Sequence, residues 1–414
     1  MLTEILTAGP DTRPAPLLDF LLRIRWGLLG CLGLVVYLSG VPHLTGDNDW
    51  QFFTFGADHL FGGHSAFVRS DFRAAATGHS GWHLYGDYPF LQIGPPALIL
   101  AEALSWGPRH GLYAAGAVVQ GLGLLTVAIL ERALGQGRMQ RVTTLLGGGL
   151  LLVVWVGVTQ SHHLDDALAL SLLAAAVLAL AREQPLLVGL FVGLSASSKP
   201  WAVPFLALVL APVGWRQSVR ALLAALGAVL VCWGPFVFAD PRTLKLGQVE
   251  LPFSPSSALA GLGAHGIGDS QSLRLLQLAG GALLALLVVQ LRAWHVAPLV
   301  GVAWRLLLDP FPYQYYTASL IVAALLADLG RRKLPILTML ATAGWVIVAV
   351  TPPHIAALTR AMEYCSLLLA APLIAFLQSR EAASSRSVSF PHQSPSAPGD
   401  VAGSQPCAAV AILS

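Results

Sequence analysis

The chain has 414 residues, of which 55% are hydrophobic and only 11% charged, and its mean hydropathy is +0.68. A soluble globule of this length needs more polar surface, so a soluble enzyme or binding domain is excluded and a lipid-facing protein is expected. The formal net charge of +3 matters less than its distribution along the chain. The four cysteines have no paired spacing, which argues against a metal or disulfide framework built on cysteine.

Basic side chains fall between long apolar runs. An apolar helix of roughly 20 residues crosses about 30 Å of hydrocarbon, and basic residues mark the cytoplasmic ends of such helices. The first crossing is expected after Arg23 and Arg25, and clusters such as 331–333 mark later inner ends. The pattern predicts an all-α polytopic integral membrane protein of about twelve transmembrane helices, with both termini cytoplasmic. The predicted crossings lie near residues 26–44, 110–130, 142–160, 165–181, 186–197, 201–214, 219–239, 274–291, 295–308, 315–329, 335–352 and 361–378.

Composition divides the chain into three parts. Residues 1–25 are predicted to form a cytoplasmic N-terminal segment and 26–378 the transmembrane domain. Residues 379–414 are predicted to be a disordered cytoplasmic tail, because the sequence after Arg380 is rich in Ser, Pro, Ala and Gly. Within the transmembrane domain, residues 45–109 form a long outer loop that is expected to carry juxtamembrane helices.

Two stretches fit a simple crossing poorly. The run from Leu91 to Trp106 is short and carries two prolines and a glutamate, so it is interpreted as an outward juxtamembrane or re-entrant helix. The runs 186–197 and 201–214 are also short, and Lys199-Pro200 between them cannot continue one straight helix. They are predicted to form a hairpin that enters the membrane from the inner side.

The outer loop opens with two acids, Asp47 and Asp49, where the first crossing meets water. Partial desolvation at this boundary makes a carboxylate a stronger general base toward a hydroxyl. One of the two acids could instead cap an amphipathic helix lying along the interface. The two roles are compatible. The apolar face of that helix would consist of Phe52, Phe53, Phe55, Leu60 and Phe61.

The segment His162-His163-Leu164-Asp165-Asp166 opens a predicted helix and has ligand types that suit zinc or manganese. Neighbouring residues on a helix diverge by about 100° each, so these side chains converge on one ion only if a special turn precedes the helix. Two alternatives stay open. Asp165 or Asp166 could cap the helix, or the paired carboxylates could accept hydrogen bonds from sugar hydroxyls.

Several short motifs together resemble the GT-C superfamily of glycosyltransferases that use polyprenyl-phosphate sugars, and within it the actinobacterial α-mannosyltransferase family. The resemblance extends over most of residues 26–378. It is carried by Asp49-x-x-Phe52-Phe53, by Leu84-Tyr85-Gly86-Asp87-Tyr88-Pro89 leading to Leu91-Gln92-Ile93-Gly94-Pro95-Pro96, by His163-Leu164-Asp165-Asp166-Ala167-Leu168, by Ser198-Lys199-Pro200-Trp201, and by Arg305 preceding Asp309-Pro310-Phe311-Pro312-Tyr313-Gln314-Tyr315-Tyr316.

The resemblance implies a GT-C-like fold and a hexosyltransferase acting at the outer face of the plasma membrane. Asp49 would be the catalytic base, with Asp47 as the alternative. The donor would be a polyprenyl monophosphate sugar, with mannose expected, and the acceptor a glycolipid or cell-envelope glycan, with inversion at the anomeric carbon. A monophosphate leaving group does not demand a metal, so neither a metal nor another cofactor is predicted. Sugar or acceptor contacts are assigned to His163, Asp165, Asp166, Tyr85, Tyr315 and Tyr316.

Two cations, Lys199 and Arg305, lie within or beside apolar runs. A charge near the bilayer centre costs roughly 2.5 to 3.5 kcal/mol, so each needs a partner or a function. Arg305 could pair with Asp309 one turn later, and Lys199 could extend to the interface. The functional hypothesis is that both bind the donor phosphate and stabilise charge on the leaving oxygen.

A multi-helix transporter or lipid flippase is the alternative function, and a non-catalytic membrane scaffold a third. A transporter usually shows two related halves with polar residues near the midplane. Here the polar residues concentrate in one outer loop, which favours the enzyme. The expected partners are the lipid-linked donor, the acceptor and membrane lipids, and no nucleic acid.

Overall fold

The structure, a computed structural model of the chain, describes residues 16–40, 49–62, 81–105, 108–135, 137–212, 214–245, 253–264 and 270–387. Over these residues the chain is helical and contains no β-strand, which confirms the predicted all-α class. The α-helices, numbered in chain order, are α1 (Pro16–Arg23), α2 (Arg25–Gly40), α3 (Trp50–Leu60), α4 (Leu84–Asp87), α5 (Pro95–Leu104), α6 (Pro108–Leu134), α7 (Arg138–Val154), α8 (Val156–Gln160), α9 (Leu164–Ala181), α10 (Pro185–Ser198), α11 (Trp215–Ala239), α12 (Ala258–Gly261), α13 (Ser270–Gln290), α14 (Ala297–Leu307), α15 (Thr317–Gly330), α16 (Ile336–Val350) and α17 (Pro353–Ser387). The 3₁₀ segments are Gly81–His83, Pro200–Leu210, Pro241–Lys245, Trp294–Val296 and Gln314–Tyr316.

Six helical stretches of the described chain are long and apolar enough to cross a membrane. The pair α1 and α2, bent by 62°, would make a seventh if it forms one span. Several other apolar helices are shorter, so the structure is compatible with a multi-pass membrane protein but supports fewer crossings than the sequence predicts. The six stretches are Gly111–Leu134, Arg138–Gln160, Leu164–Ala181, Trp215–Ala239, Ser272–Gln290 and Pro353–Leu377.

The core of the structure lies around α15, which is buried along nearly its whole length. Its 14 residues extend only about 21 Å, which is too short to cross the hydrocarbon alone. The acid near its end, Asp328, is fully buried but satisfied. Its carboxylate accepts the backbone N–H groups of Leu337 and Thr338 and the Thr338 hydroxyl, so it caps the first turn of α16.

The chain is irregular at two places near the candidate site, of which the break at Lys199-Pro200 was predicted, whereas residues 91–94 were expected to be helical. Helix α10 ends at Ser198, Lys199 is extended, and the chain continues as the 3₁₀ segment Pro200–Leu210. The break follows from Pro200, which has no N–H to donate to the ladder. The other irregular stretch, 91–94, is not helical, and α5 begins at Pro95, where a proline suits the first helical turn. Helix α5 packs against α3 and α10.

The C-terminal boundary differs from the predicted one. The tail was expected to begin at residue 379, but α17 continues to Ser387. Glu381, Ala382 and Ala383 are strong helix formers and extend α17 past the last apolar turn. Residues 388–414 lie outside the described part of the chain.

Candidate functional site

One end of the helical assembly brings several chain segments to a single cavity of about 180 Å³. The segments are the start of α3, the stretch before α5, the turn before α9, the end of α10, and the turn before α15. The cavity is lined by Asp49, Phe52, Phe53, Phe90, Leu91, Gln92, Ile93, His163, Asp165, Lys199, Tyr313, Tyr315 and Tyr316. It therefore combines acids, a cation and aromatic rings with an apolar wall.

A tight turn precedes α9 and sets the direction of the His163 side chain. His162 adopts a left-handed backbone conformation with φ of 54°, and its imidazole Nε2 lies 3.0 Å from the Leu112 carbonyl oxygen. The backbone N–H of His163 donates to the carbonyl of Val158. This is the kind of turn that the sequence requires for convergence, and His163 consequently faces the same side as Asp165 and Asp166.

The His163 imidazole lies among three carboxylates. Its Nε2 donates to Asp49 Oδ2 at 2.9 Å, and its Nδ1 lies 3.2 Å from Asp166 Oδ2 and 3.6 Å from Asp165 Oδ1. The ring stacks on Tyr315 with centroids 3.5 Å apart. Burial lowers the pKa of His163, but its contacts with the three carboxylates outweigh burial and raise the pKa to about 10. The imidazole is therefore protonated at neutral pH.

The far oxygens of the two α9 carboxylates are also held. The Lys199 ammonium donates to Asp165 Oδ2 and lies 3.5 Å from Asp166 Oδ2. The Trp201 indole N–H donates to Asp166 Oδ1 at 2.6 Å. Asp165 Oδ1 accepts the backbone N–H of Asp166 within the first turn of α9, but the cap position is His163 and no side chain caps the helix, so neither aspartate is the predicted cap. Lys199 is thus a paired, buried cation.

Arg305 forms a second ion pair next to the cavity. Its Nη2 lies 3.2 Å from Asp309 Oδ2, as the one-turn spacing suggests. The guanidinium also lies over the rings of Tyr316, at 3.9 Å, and Trp201, at 5.3 Å. Its Nη1 is buried and makes no hydrogen bond within the described chain. Arg305 is therefore only partly satisfied by protein groups.

Asp49 is the residue before α3, and its side chain is 31% exposed. The carboxylate makes no capping hydrogen bond to α3 but binds His163 instead. The helix that follows buries Phe53 and Phe55, which agrees with the predicted amphipathic helix. The alternative base, Asp47, lies outside the described residues.

Tyr85 does not line the cavity. It is fully buried, its hydroxyl donates to the Ile93 carbonyl at 2.7 Å, and its ring contacts Trp233 and Phe236. It supports the cavity wall through Ile93. The other assigned tyrosines, Tyr315 and Tyr316, do line the cavity.

Sequence reasoning assigned no role to Gln92 and Tyr313, although both lie in the quoted motifs and both line the cavity. The motifs locate these residues but not the direction of their side chains.

No protein-family model matches the chain, and no curated protein or solved structure matches it either. The resemblance to the GT-C superfamily consequently depends on the sequence motifs alone.

Proposed function

We propose that the chain is a membrane glycosyltransferase that moves a sugar from a polyprenyl monophosphate to a hydroxyl of a glycolipid or envelope glycan. Mannose is the first candidate for the sugar. The observation that carries the proposal is the half-buried Asp49 carboxylate, held by His163 on the wall of a cavity shared with Lys199 and three tyrosines. Glycosyl transfer needs a base for the acceptor, a surface for the sugar and positive charge for the phosphate. The cavity offers all three.

In the proposed reaction the acceptor hydroxyl gives its proton to Asp49 as its oxygen attacks the anomeric carbon. The bond between that carbon and the phosphate oxygen breaks, and polyprenyl phosphate leaves with the bonding electron pair. The configuration inverts because attack and departure occur on opposite faces. His163 holds one carboxylate oxygen and so orients Asp49 toward the acceptor.

Positive charge and apolar surface account for the lipid half of the donor. Lys199 lines the cavity, and Arg305 lies behind Tyr316 with one nitrogen that no protein group satisfies. These cations would stabilise the charge that develops on the leaving phosphate. The wall formed by Phe52, Phe90 and Leu91 suits the first isoprene units of the lipid.

The proposed topology is a GT-C-like arrangement of about twelve crossings, in which shorter apolar helices such as α10 and α16 join the six longer spans. Ion pairs Arg25–Glu131 and Arg138–Asp19 lie at the helix ends away from the cavity. Because basic residues favour the cytoplasmic side, these pairs support the proposal that the cavity opens at the outer face of the plasma membrane.

The test compares Asp49→Asn with Asp58→Asn, a control on α3 whose side chain does not line the cavity. Membranes containing each variant would receive labelled polyprenyl-phosphate mannose. Loss of a general base should slow transfer by about 10²- to 10⁴-fold in Asp49→Asn, with near wild-type transfer in the control. If Asp47→Asn alone loses transfer, Asp47 is the base. Full activity of both Asp47→Asn and Asp49→Asn contradicts the proposed base.

A further inference from the structure

Three buried atoms converge at the start of α9 and are oriented by contacts on their outer sides. They belong to His163, Asp165 and Asp166, which offer one donor atom each within 4.8 Å of one another, and His163 Nδ1 is the atom next to Asp165 Oδ1 and Asp166 Oδ2. The nitrogen lies 3.2 Å from Asp166 Oδ2 and 3.6 Å from Asp165 Oδ1. A tetrahedral metal site with bonds of about 2.0 Å has ligand-to-ligand distances of about 3.3 Å. The spacing of the nitrogen from both oxygens therefore suits one small divalent ion.

Two of the three atoms have no hydrogen-bond partner within the described chain. His163 Nδ1 and Asp166 Oδ2 form an ion pair at 3.2 Å that lacks hydrogen-bond geometry, and both residues are more than nine-tenths buried. Buried polar atoms without a hydrogen bond are costly, and a ligand between the two would remove that cost. An ion between them would satisfy both.

The outer atoms of the same three side chains are each held by a protein group. Asp49 accepts from His163 Nε2, Lys199 donates to Asp165 Oδ2, and Trp201 donates to Asp166 Oδ1. A histidine that binds a metal through one nitrogen commonly donates through the other to a carboxylate. The contact between His163 and Asp49 has that form.

Charge also favours an ion here. The carboxylates of Asp49, Asp165 and Asp166 surround the His163 imidazole, and Lys199 pairs with the last two. Three carboxylates against one lysine leave two negative charges, which a divalent ion held by His163 would balance.

We propose that His163, Asp165 and Asp166 bind a divalent transition metal, with zinc as the best fit to one imidazole and two carboxylates. His163 and Asp165 line the cavity, so water or a substrate oxygen can complete the coordination. The sequence alone does not predict this site. The proposal does not depend on glycosyl transfer, because the metal binding itself is measured.

The test is titration of the purified full-length chain, stripped with a chelator in detergent, with Co²⁺ as the spectroscopic probe and Zn²⁺ as the competitor. The expected result is one saturable site per chain with the visible absorption of a four-coordinate Co²⁺ complex. Asp166→Asn should weaken binding by at least about 100-fold, and Asp49→Asn, which removes the outer partner of His163, by about 10- to 100-fold. Asp87→Asn is the matched control, because Asp87 is a buried carboxylate paired with Arg242, and it should bind like the wild type.

Absence of saturable one-to-one binding by the wild-type chain overturns the proposal, and so does wild-type affinity in Asp166→Asn. If Asp166→Asn fails to fold, the metal site is tested by the wild-type titration and by Asp49→Asn, because the Asp49 side chain is partly exposed. Wild-type metal affinity in Asp49→Asn also counts against the site. Transfer activity is measured separately. A chain that binds no metal but transfers sugar refutes this inference and leaves the proposed function intact.

Discussion

Ion pairing determines what each charged side chain near the cavity can do. Lys199 is paired with Asp165 and Asp166, whereas Arg305 has one partner, Asp309, and a buried nitrogen without a hydrogen bond in the described chain. Of the two cations, Arg305 thus has the greater unused capacity to bind a phosphate. Its planar guanidinium can offer two N–H groups to one anion, which lysine cannot.

Substitution of Arg305 should weaken binding of free polyprenyl phosphate. Arg305→Gln removes the charge and should weaken binding by roughly 10- to 100-fold, as expected for a lost charge-assisted hydrogen bond. Arg305→Lys retains the charge and should lose less. Binding would be measured in nanodiscs, with Asp309→Asn as the control that keeps the guanidinium. Wild-type affinity in Arg305→Gln would show that Arg305 serves only its pair with Asp309.

The sequence predicts some of these residue contacts and not others. The pair Arg305–Asp309 follows from a spacing of one helical turn. The contacts of Lys199 with α9 join residues 34 positions apart, and the contact of Asp49 with His163 joins residues 114 apart. Such contacts depend on tertiary packing, which helix periodicity does not encode. The turn at His162 was recognised as a requirement, but its presence was not predictable.

At the scale of elements, close backbone packing positions the cavity wall. Gly94, just before α5, donates its N–H to the Ser198 carbonyl at the end of α10. A Cβ atom at Gly94 would come within 1.8 Å of the Ser197 carbonyl oxygen. The contact fixes the stretch 91–93 against the segment that carries Lys199. Arg242 provides a second link, because it binds both Asp87 at the end of α4 and Asp240 after α11, and its hydrogen bonds lower the pKa of Asp240.

Gly94→Ala should therefore destabilise the fold and reduce transfer together. Forcing a methyl group against backbone costs typically about 1–3 kcal/mol, because the backbone has to shift. Gly121→Ala in α6 is the matched control, since a Cβ there meets nothing within 4 Å and alanine favours helix. Thermal unfolding in detergent should show a lower midpoint for Gly94→Ala and an equal or higher one for Gly121→Ala. Equal midpoints for Gly94→Ala and wild type would show that this contact is not close in solution.

Helix boundaries were predictable where a local residue sets them. Pro200 explains the end of α10, and Pro95 and Pro96 explain where α5 begins. The tail was expected from residue 379, whereas α17 continues to Ser387, because composition signals a polar tail but does not say where helix gives way to coil. The number of crossings stays a prediction. Short buried helices such as α15 have the hydropathy of a span without its length.

At the scale of the whole molecule, the surface is apolar where a lipid-facing protein requires it. On α11, Val231 is 77% exposed and Phe238 is 81% exposed, and neighbouring leucines are exposed as well. Exposed apolar side chains in such number indicate a surface covered by lipid. The buried charged groups His163, Asp165, Asp166 and Lys199, in contrast, form one cluster at the cavity. Their position at one end of the helices predicts a single active face.

Cysteine labelling would establish which face that is. In a background without the native cysteines, Leu244→Cys lies at the cavity end and is 73% exposed in the native structure, whereas Gln184→Cys lies at the exposed turn between α9 and α10. An impermeant thiol reagent added to intact cells should modify the first and not the second, because the basic ends are expected inside. The reverse pattern would place the cavity in the cytoplasm.

The fate of the donor in membranes containing the wild-type chain tests glycosyl transfer most directly. With polyprenyl-phosphate mannose labelled in both the sugar and the lipid, an enzyme releases one polyprenyl phosphate for each sugar that appears on the acceptor. A flippase or transporter moves the donor across the bilayer without breaking the sugar–phosphate bond. Mass spectrometry of the extracted lipids and glycans should show equimolar polyprenyl phosphate and mannosylated acceptor. Intact donor at the opposite face, with no free polyprenyl phosphate, would contradict the proposed enzyme.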